Sequence, residues 1–532
     1  MSTRTITNLL VLVVICSWLT IIWCWEPAFL TLTVDDSFYY FKTALNISEG
    51  HGASFDKLNI TNGFHPLWML ILALLSYFVV QPSLIFVKIV LSLETLIVFT
   101  AAVILNQTFE SQKPIFIRLF SFLCLNFYFF KVFVNGLESA ILFLCISLAL
   151  YRFHRSLVKS DNSRKNLSIL GVLAGLTGLA RVDAVFFSAT FCFLTSFTLS
   201  HRDTNFRFTE FIKNLLVTTI SCGLVIGPYF LWNILVYGHI TPVSASIKIG
   251  DATVNFRMSI VALGSIIALI IPLVSLKKAG LFEKGSLGIR FSDHSLAVIA
   301  SPLFSYAAFT ILVNLGLRGI RIPEIWYLSP IFASFVLLSA CKYASLEIAT
   351  RTRLKKTFVL CFLIFTAITW SYRVNPATWV SYKAAMENGL WLRDNTSLRS
   401  LAAGWSCGIA AYFSDRQFIN LDGLINSWTY KTDYLDTAKT DVFIQQVQPV
   451  DYVVDYLPVS TLMHSTCVGH VNLANYCVAR FRIIRTRLFT NPFKEVEVCY
   501  FVLSRSCTKD QIRFSDLASK LIQGRERKGS FP

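Results

Sequence analysis

At 532 residues, with 54% hydrophobic and only 15% charged positions and a mean hydropathy of +0.58, the chain lies outside the composition of soluble domains. Such domains carry roughly a quarter charged residues. Its net charge of +17 comes with no basic run interleaved with aromatics, so nucleic acid is not an expected partner and membrane lipids are. Repeated apolar runs of about 20 residues, enough to cross a hydrocarbon core of roughly 30 Å, indicate a polytopic α-helical membrane protein.

The first run, 6–24, follows Arg4 and ends in Trp23-Cys24-Trp25-Glu26-Pro27. No small-residue cleavage site closes it and two Trp suit an interfacial belt, so it reads as an uncleaved span. A first outer loop, 26–83, carries Asp35-Asp36 and an apolar run at 65–80 that opens His65-Pro66-Leu67-Trp68. Ten further spans are expected at about 84–105, 115–134, 138–151, 167–181, 183–200, 213–236, 257–276, 295–316, 325–345 and 356–372.

Whether 65–80 crosses decides the side of every later loop. Four basic loops are at issue: Arg152 to Lys165, His201-Arg202 to Lys213, Lys277 to Arg290, and Arg351 to Lys356. They fall on the N-terminal, cytoplasmic side only if 65–80 does not cross. That run is therefore expected to be interfacial or re-entrant, giving about eleven spans with the N-terminus in and the C-terminus out. The outer mouths then gather 26–83, Asn135-Gly136-Leu137-Glu138, Arg181-Val182-Asp183, Lys248, and Arg318 to Trp326-Tyr327.

From about 374 the charge rises and the long apolar runs stop. Leu401 to Gly404, Cys407 to Phe413, Gln417 to Asn420 and Asp451 to Tyr456 read as strand, short helix, strand and strand. The expected organisation is a membrane domain, 1–373, followed by an extracytoplasmic α/β domain, 374–532. Cys407, Cys467, Cys477, Cys499 and Cys507 lie in that tail, where one or two disulfides are expected without a deducible pairing. Asn46-Ile47-Ser48 and Asn59-Ile60-Thr61 match glycan-acceptor sequons.

Three segments resemble the first extracytoplasmic loop of GT-C superfamily glycosyltransferases: Asp35-Asp36-Ser37-Phe38-Tyr39-Tyr40-Phe41-Lys42, Gly50-His51-Gly52, and Asn62-Gly63-Phe64-His65-Pro66-Leu67-Trp68. More narrowly, they are similar to bacterial arabinofuranosyltransferase-like and mannosyltransferase-like enzymes. Asn135 to Ser139, Leu179 to Asp183 and Ile419-Asn420-Leu421-Asp422-Gly423-Leu424 carry the same resemblance more weakly.

The resemblance implies a bacterial inner-membrane enzyme with its active site facing outside. Its donor would be a sugar on a polyprenyl phosphate and its acceptor a hydroxyl on a glycan, lipid or protein. Hydroxyls are poor nucleophiles, so inverting transfer needs a carboxylate base, and the resemblance gives that role to Asp35 or Asp36. The leaving phosphate needs positive charge or fixed donors, for which Lys248, Arg318, Arg321 and His65 are candidates. Glu138, Asn62, Arg181, Asp183 and Tyr327 are candidate substrate contacts. No cofactor is required; whether a divalent cation takes part stays open, with Asp35, Asp36 and Glu138 as its hard oxygen ligands if it does.

Each residue also has a structural reading. An acid pair caps a helix, Arg181 and Asp183 pair internally, Lys248 and Arg321 snorkel to headgroups, and His65 caps the helix after it. The alternative function is a polytopic transporter or lipid flippase of the cell envelope. Against it, no internal repeat is evident, and the acids gather at one face instead of mid-span.

Overall fold

The computed structural model describes residues 3–79, 82–108, 115–202, 205–249, 293–318, 325–344, 359–371, 379–462, 467–468, 471–487, 495–508, 511–517 and 519. Helix α1 (Thr3–Cys24) leads into the loop that holds α2 (Asp35–Ser48) and α3 (Pro66–Ser76). With only eleven residues, α3 rises about 17 Å, too little to cross a bilayer. Pro66 at its first turn starts it where a missing N–H costs nothing.

Helix α4 (Leu84–Thr108) is followed by α5 (Ile115–Leu123) and α6 (Phe127–Phe133), which meet at a 109° bend. The run expected as a span at 115–134 is thus bent in its middle, where Asn126 caps α6 by accepting the N–H groups of Tyr128 and Phe129. The pair still covers the depth of α1. Arg118 donates to Thr7 near the start of α1, and the Lys131 ammonium reaches the carbonyls of Thr31 and Thr33 beyond its end.

Next come α7 (Ser139–Val158), α8 (Arg164–Ala180), α9 (Val185–Leu199) and α10 (Phe208–Tyr237). They run alternately away from and back to the end of the bundle that holds α2. The turn at 159–163 and the adjoining ends of α9 and α10 therefore lie at the opposite end from Asp36. Five described helices are long and apolar enough to cross a membrane, and six if the bent pair forms one span. Helices α11 (Val243–Ile249), α12 (Asp293–Arg318), α13 (Ser329–Ala344) and α14 (Val359–Ser371) follow. The run expected at 257–276 and the basic loops at 277–290 and 351–356 lie outside the described residues.

The tail begins with α15 (Val380–Asn395), then β1 (Leu401–Gly404), α16 (Gly408–Ser414), β2 (Gln417–Asn420) and β3 (Tyr452–Pro458). A long hairpin-like pair, β4 (Cys477–Arg487) and β5 (Glu495–Ser504), completes a sheet of order β2-β1-β3-β5-β4. The first three strands are parallel and the last two antiparallel. Cys477 and Cys507 form a disulfide, while Cys407 and Cys499 are buried thiols.

The tail is not walled off from the helical body. Ile409, Ala410, Tyr412 and Phe413 of α16 belong to the same buried cluster as Phe38 and Phe41 of α2 and Phe86 of α4. Phe38 meets Tyr412 edge-on at 5.5 Å, and Tyr412 donates its hydroxyl to the carbonyl of Ser83. Neither sequon presents an available amide. Asn46 is buried and donates to the carbonyls of Ser54 and Phe55, and the Asn59 amide is held by Asp56 and Gln448.

Candidate active site

Helix α2 is preceded by Val34, whose N–H donates to Ser37 Oγ at 3.0 Å. Two acids in the first turn suit the positive end of the helix dipole. Consecutive helical residues are about 100° apart, so the two carboxylates leave on different faces.

Asp35 turns toward the tail. Its Oδ2 accepts the N–H of Gly408 at 3.0 Å and its Oδ1 that of Ile409 at 2.9 Å. Burial pushes its carboxyl up to about 6 against those two bonds, with Asp36 adding to the rise. Two turns along the same face, the Lys42 ammonium donates to the carbonyls of Ala411 and Arg416 at 2.7 and 2.6 Å. Seven residues of α2 span about 10.5 Å, as do the seven residues of α16. An anion therefore sits at the N-terminus of α16 and a cation at its C-terminus. The fit needs Gly408, since a Cβ there would lie 2.3 Å from the Asp35 carbonyl oxygen.

Asp36 opens into a cleft. Its Oδ2 is 3.6 Å from Lys248 Nζ, and each side chain is about a quarter exposed. One turn on, the Tyr40 hydroxyl accepts the N–H of His65 at 2.9 Å. The opposite wall centres on Glu138, which is 2% exposed. Its Oε1 lies 3.6 Å from His65 Nε2 and 3.7 Å from an Arg181 amino group. Arg181 Nε donates to Asp183 at 2.9 Å, and its guanidinium stacks 4.2 Å from the Tyr327 ring centre. Tyr306 donates to the same Asp183 oxygen.

His65 Nδ1 accepts the N–H of Val182 at 3.2 Å, which assigns the ring proton to Nε2, facing Glu138. Burial and then Arg181 hold His65 well below its ordinary value, so the ring is neutral.

The turn carrying Glu138 is shaped from below. Glu94, buried in α4, accepts the N–H groups of Asn135 and Gly136 at 3.0 and 2.9 Å. Trp68 donates to the Gly136 carbonyl and Ser37 to that of Asn135. Gly136 has φ +85°, and a Cβ there would lie 2.6 Å from Ser37 Cβ.

Of the sequence candidates, Asp36, His65, Glu138, Lys248 and Tyr327 line one cleft, with Arg181 and Asp183 bracing it. Asn62 is turned elsewhere. It accepts from Val243 N–H and Trp428 Nε1 and donates to Asn233 and the Thr241 carbonyl, so it clips the arm carrying Lys248 in place. Arg318 ends α12 with its side chain outside the described residues, as is all of Arg321. Asp35, Asp36 and Glu138 do not converge; among the described residues no three His, Cys, Asp or Glu side chains form a group that could hold a metal ion.

Sequence reasoning gave no role to Lys42, Glu94 or Asp422. Asp422 accepts the Leu424 N–H at 2.9 Å and faces the Tyr39 hydroxyl at 3.1 Å. Burial and then Asp36 contribute to raising its carboxyl to about 7, so the tail places a second acid behind the cleft. The signals were the place of Lys42 and Asp422 within the resembling segments, the seven-residue spacing of Lys42 from Asp35 and the interruption of an apolar span by Glu94.

Residues 373–503 match the model of a domain family of unknown function, DUF8728, and no curated protein matches the chain. Among solved structures, the fold is similar to ArnT from Cupriavidus metallidurans bound to undecaprenyl phosphate. That pair has 10% identity over 92% of this chain and 97% of the other, with a TM-score of 0.48. It is also similar to the archaeal oligosaccharyltransferase AglB from Archaeoglobus fulgidus in complex with an inhibitory peptide and a dolichol-phosphate. Here identity is 9% over 98% of this chain and 78% of the other, with a TM-score of 0.46. A further Archaeoglobus fulgidus oligosaccharyltransferase, tethered to an acceptor peptide with an NVT sequon, gives 11% identity over 97% and 77% of the two chains and a TM-score of 0.44. Likeness at this level leaves the function to the chemistry of the cleft.

Proposed function

We propose that the chain is an inverting membrane glycosyltransferase of the GT-C kind. It moves a sugar from a polyprenyl-phosphate donor to an acceptor hydroxyl at the extracytoplasmic face, with Asp36 as general base. The observation that carries this is the division of the acid pair: both oxygens of Asp35 are occupied by backbone N–H groups, whereas Asp36 faces a cleft that holds a lysine.

The acceptor oxygen bonds to the anomeric carbon as its proton passes to Asp36. The bond from that carbon to the phosphate oxygen breaks, and its electron pair leaves with the polyprenyl phosphate. Attack opposite the leaving group inverts the centre. Lys248 meets the phosphate charge, with Arg318 and Arg321 as further donors expected from the sequence. The neutral His65 offers an N–H from Nε2, oriented by Val182. Arg181, saturated by Glu138, Asp183 and Tyr327, holds the wall more than it contacts substrate.

The test is release of polyprenyl phosphate and glycosylation of an added acceptor, followed by mass spectrometry with a panel of polyprenyl-phosphate sugars. Wild-type protein is expected to turn over one of them. Turnover that survives undiminished in Asp36→Asn would refute the assignment of the base.

A further inference from the structure

Lys248 is the only cation within 4 Å of Asp36 among the described residues. It stands on a seven-residue helix whose backbone is pinned. Val243 N–H is held by Asn62, His239 stacks on Trp428 at 3.7 Å, and Ile247 packs over Gly423, where a Cβ would meet it at 2.7 Å. The ammonium at the end of a flexible four-carbon stem can change partner without moving that backbone. A second seat is adjacent: Lys248 Nζ is 5.9 Å from the Tyr327 ring centre, on the ring that also stacks with Arg181.

The other positive groups of the cleft wall are committed. Arg181 is 2% exposed and tied to Glu138, Asp183 and Tyr327, and His65 is neutral. A phosphate entering this cleft thus finds Lys248 as the described cation able to turn toward it. An ion pair that is a quarter exposed is weak. A phosphate offers more charge and more acceptor oxygens than one carboxylate.

Resting on the donor class proposed above, we infer that Lys248 serves Asp36 and the donor phosphate in turn. It pairs with the carboxylate before the donor binds and leaves it for the phosphate, so Asp36 is released to accept a proton only once the donor is seated. The exchange makes binding ordered, donor before acceptor. It also makes the base a competitor of the lipid phosphate for one ammonium.

That competition has an unusual consequence: removing the base tightens binding of the leaving group. The experiment measures affinity for farnesyl monophosphate, with farnesol as the phosphate-free control, in detergent-solubilised wild type, Asp36→Asn, Lys248→Met and the double variant. Size-exclusion profiles and thermal unfolding confirm that each is folded.

Asp36→Asn is expected to bind farnesyl monophosphate about fivefold more tightly than wild type. Lys248→Met should bind it about tenfold more weakly. In the Lys248→Met background, Asp36→Asn should change little, because the contested cation is gone. Equal tightening in both backgrounds would mean simple charge repulsion and would overturn the exchange, as would weaker binding by Asp36→Asn. Wild type that binds farnesol as well as its monophosphate would instead overturn the polyprenyl-phosphate reading on which the inference rests.

Discussion

On the face of α2 that carries Asp35, Phe38 and Lys42, the charged groups end on the backbone of α16 and of the turn just after it, and the aromatic ring is buried against that helix. The face of Asp36 and Tyr40 opens instead on a cleft walled by His65, Glu138 and Lys248. Both faces come from one acid-aromatic motif, and neighbours in sequence separate because the helix turns between them. One acid has become a fastener for the tail, and the other faces the cleft and Lys248. Motif resemblance alone would treat the two as interchangeable.

The heaviest blow to the cleft wall is Arg181→Met. It strands Glu138 and Asp183 beside each other without their cation, a loss of about 3–5 kcal/mol. Poor recovery of folded protein and a sharply lower melting temperature are expected. Unchanged stability would mean the arginine is not the brace described.

On the docking face, Gly408→Ala drives a methyl into the Asp35 carbonyl and should cost about 1–3 kcal/mol in thermal or denaturant unfolding. Lys42→Met leaves the carbonyls of Ala411 and Arg416 without their ammonium, for a loss of about 1–3 kcal/mol. Limited proteolysis between 395 and 420 should speed up in both variants while binding of farnesyl monophosphate persists in the folded fraction.

The smallest expected effect is a pH dependence. Burial raises Asp422 and Asp455 to about 7 from an ordinary 3.8. The folded chain then holds protons that the unfolded chain has released, so stability is greater at low pH and falls as pH rises through about 7. His65, held low, opposes this fall only where its unfolded counterpart is still charged, below about 7, and Lys42, lowered to about 8, opposes it only above about 7. Between pH 5 and 7 the melting temperature should decline, and Asp455→Asn should flatten that decline. Asp455 accepts the N–H groups of Trp405 and Tyr456 away from the cleft. An identical slope in the variant would remove Asp455 from the account.

Much of this was legible beforehand. Apolar length marked the helices of the body, and the run at 65–80, read from the charge of the loops as not crossing, holds a helix of only eleven residues. The alternation in Leu401 to Asn420 gave the first strand, helix and strand of the tail. The bend between α5 and α6 was hidden, because both arms are apolar and the cap, Asn126, resembles any polar residue in a span.

The docking role of Asp35 was also illegible. Its partners are backbone N–H groups more than 370 residues away, and backbone groups carry no sequence signature. Asn62 illustrates the reverse case: a polar residue inside the resembling motif whose bonds go to α10, the arm of Lys248 and the tail.

The division between the two acids is tested most directly by assaying Asp35→Asn and Asp36→Asn side by side, for initial rate of sugar transfer and for melting temperature. Asp36→Asn should keep the wild-type melting temperature and lose about 10²–10⁴ in rate. Asp35→Asn should lose about 1–3 kcal/mol of stability and retain most of its rate at temperatures where it stays folded. A variant of Asp35 that is inactive at wild-type stability, beside an active variant of Asp36, would contradict the division.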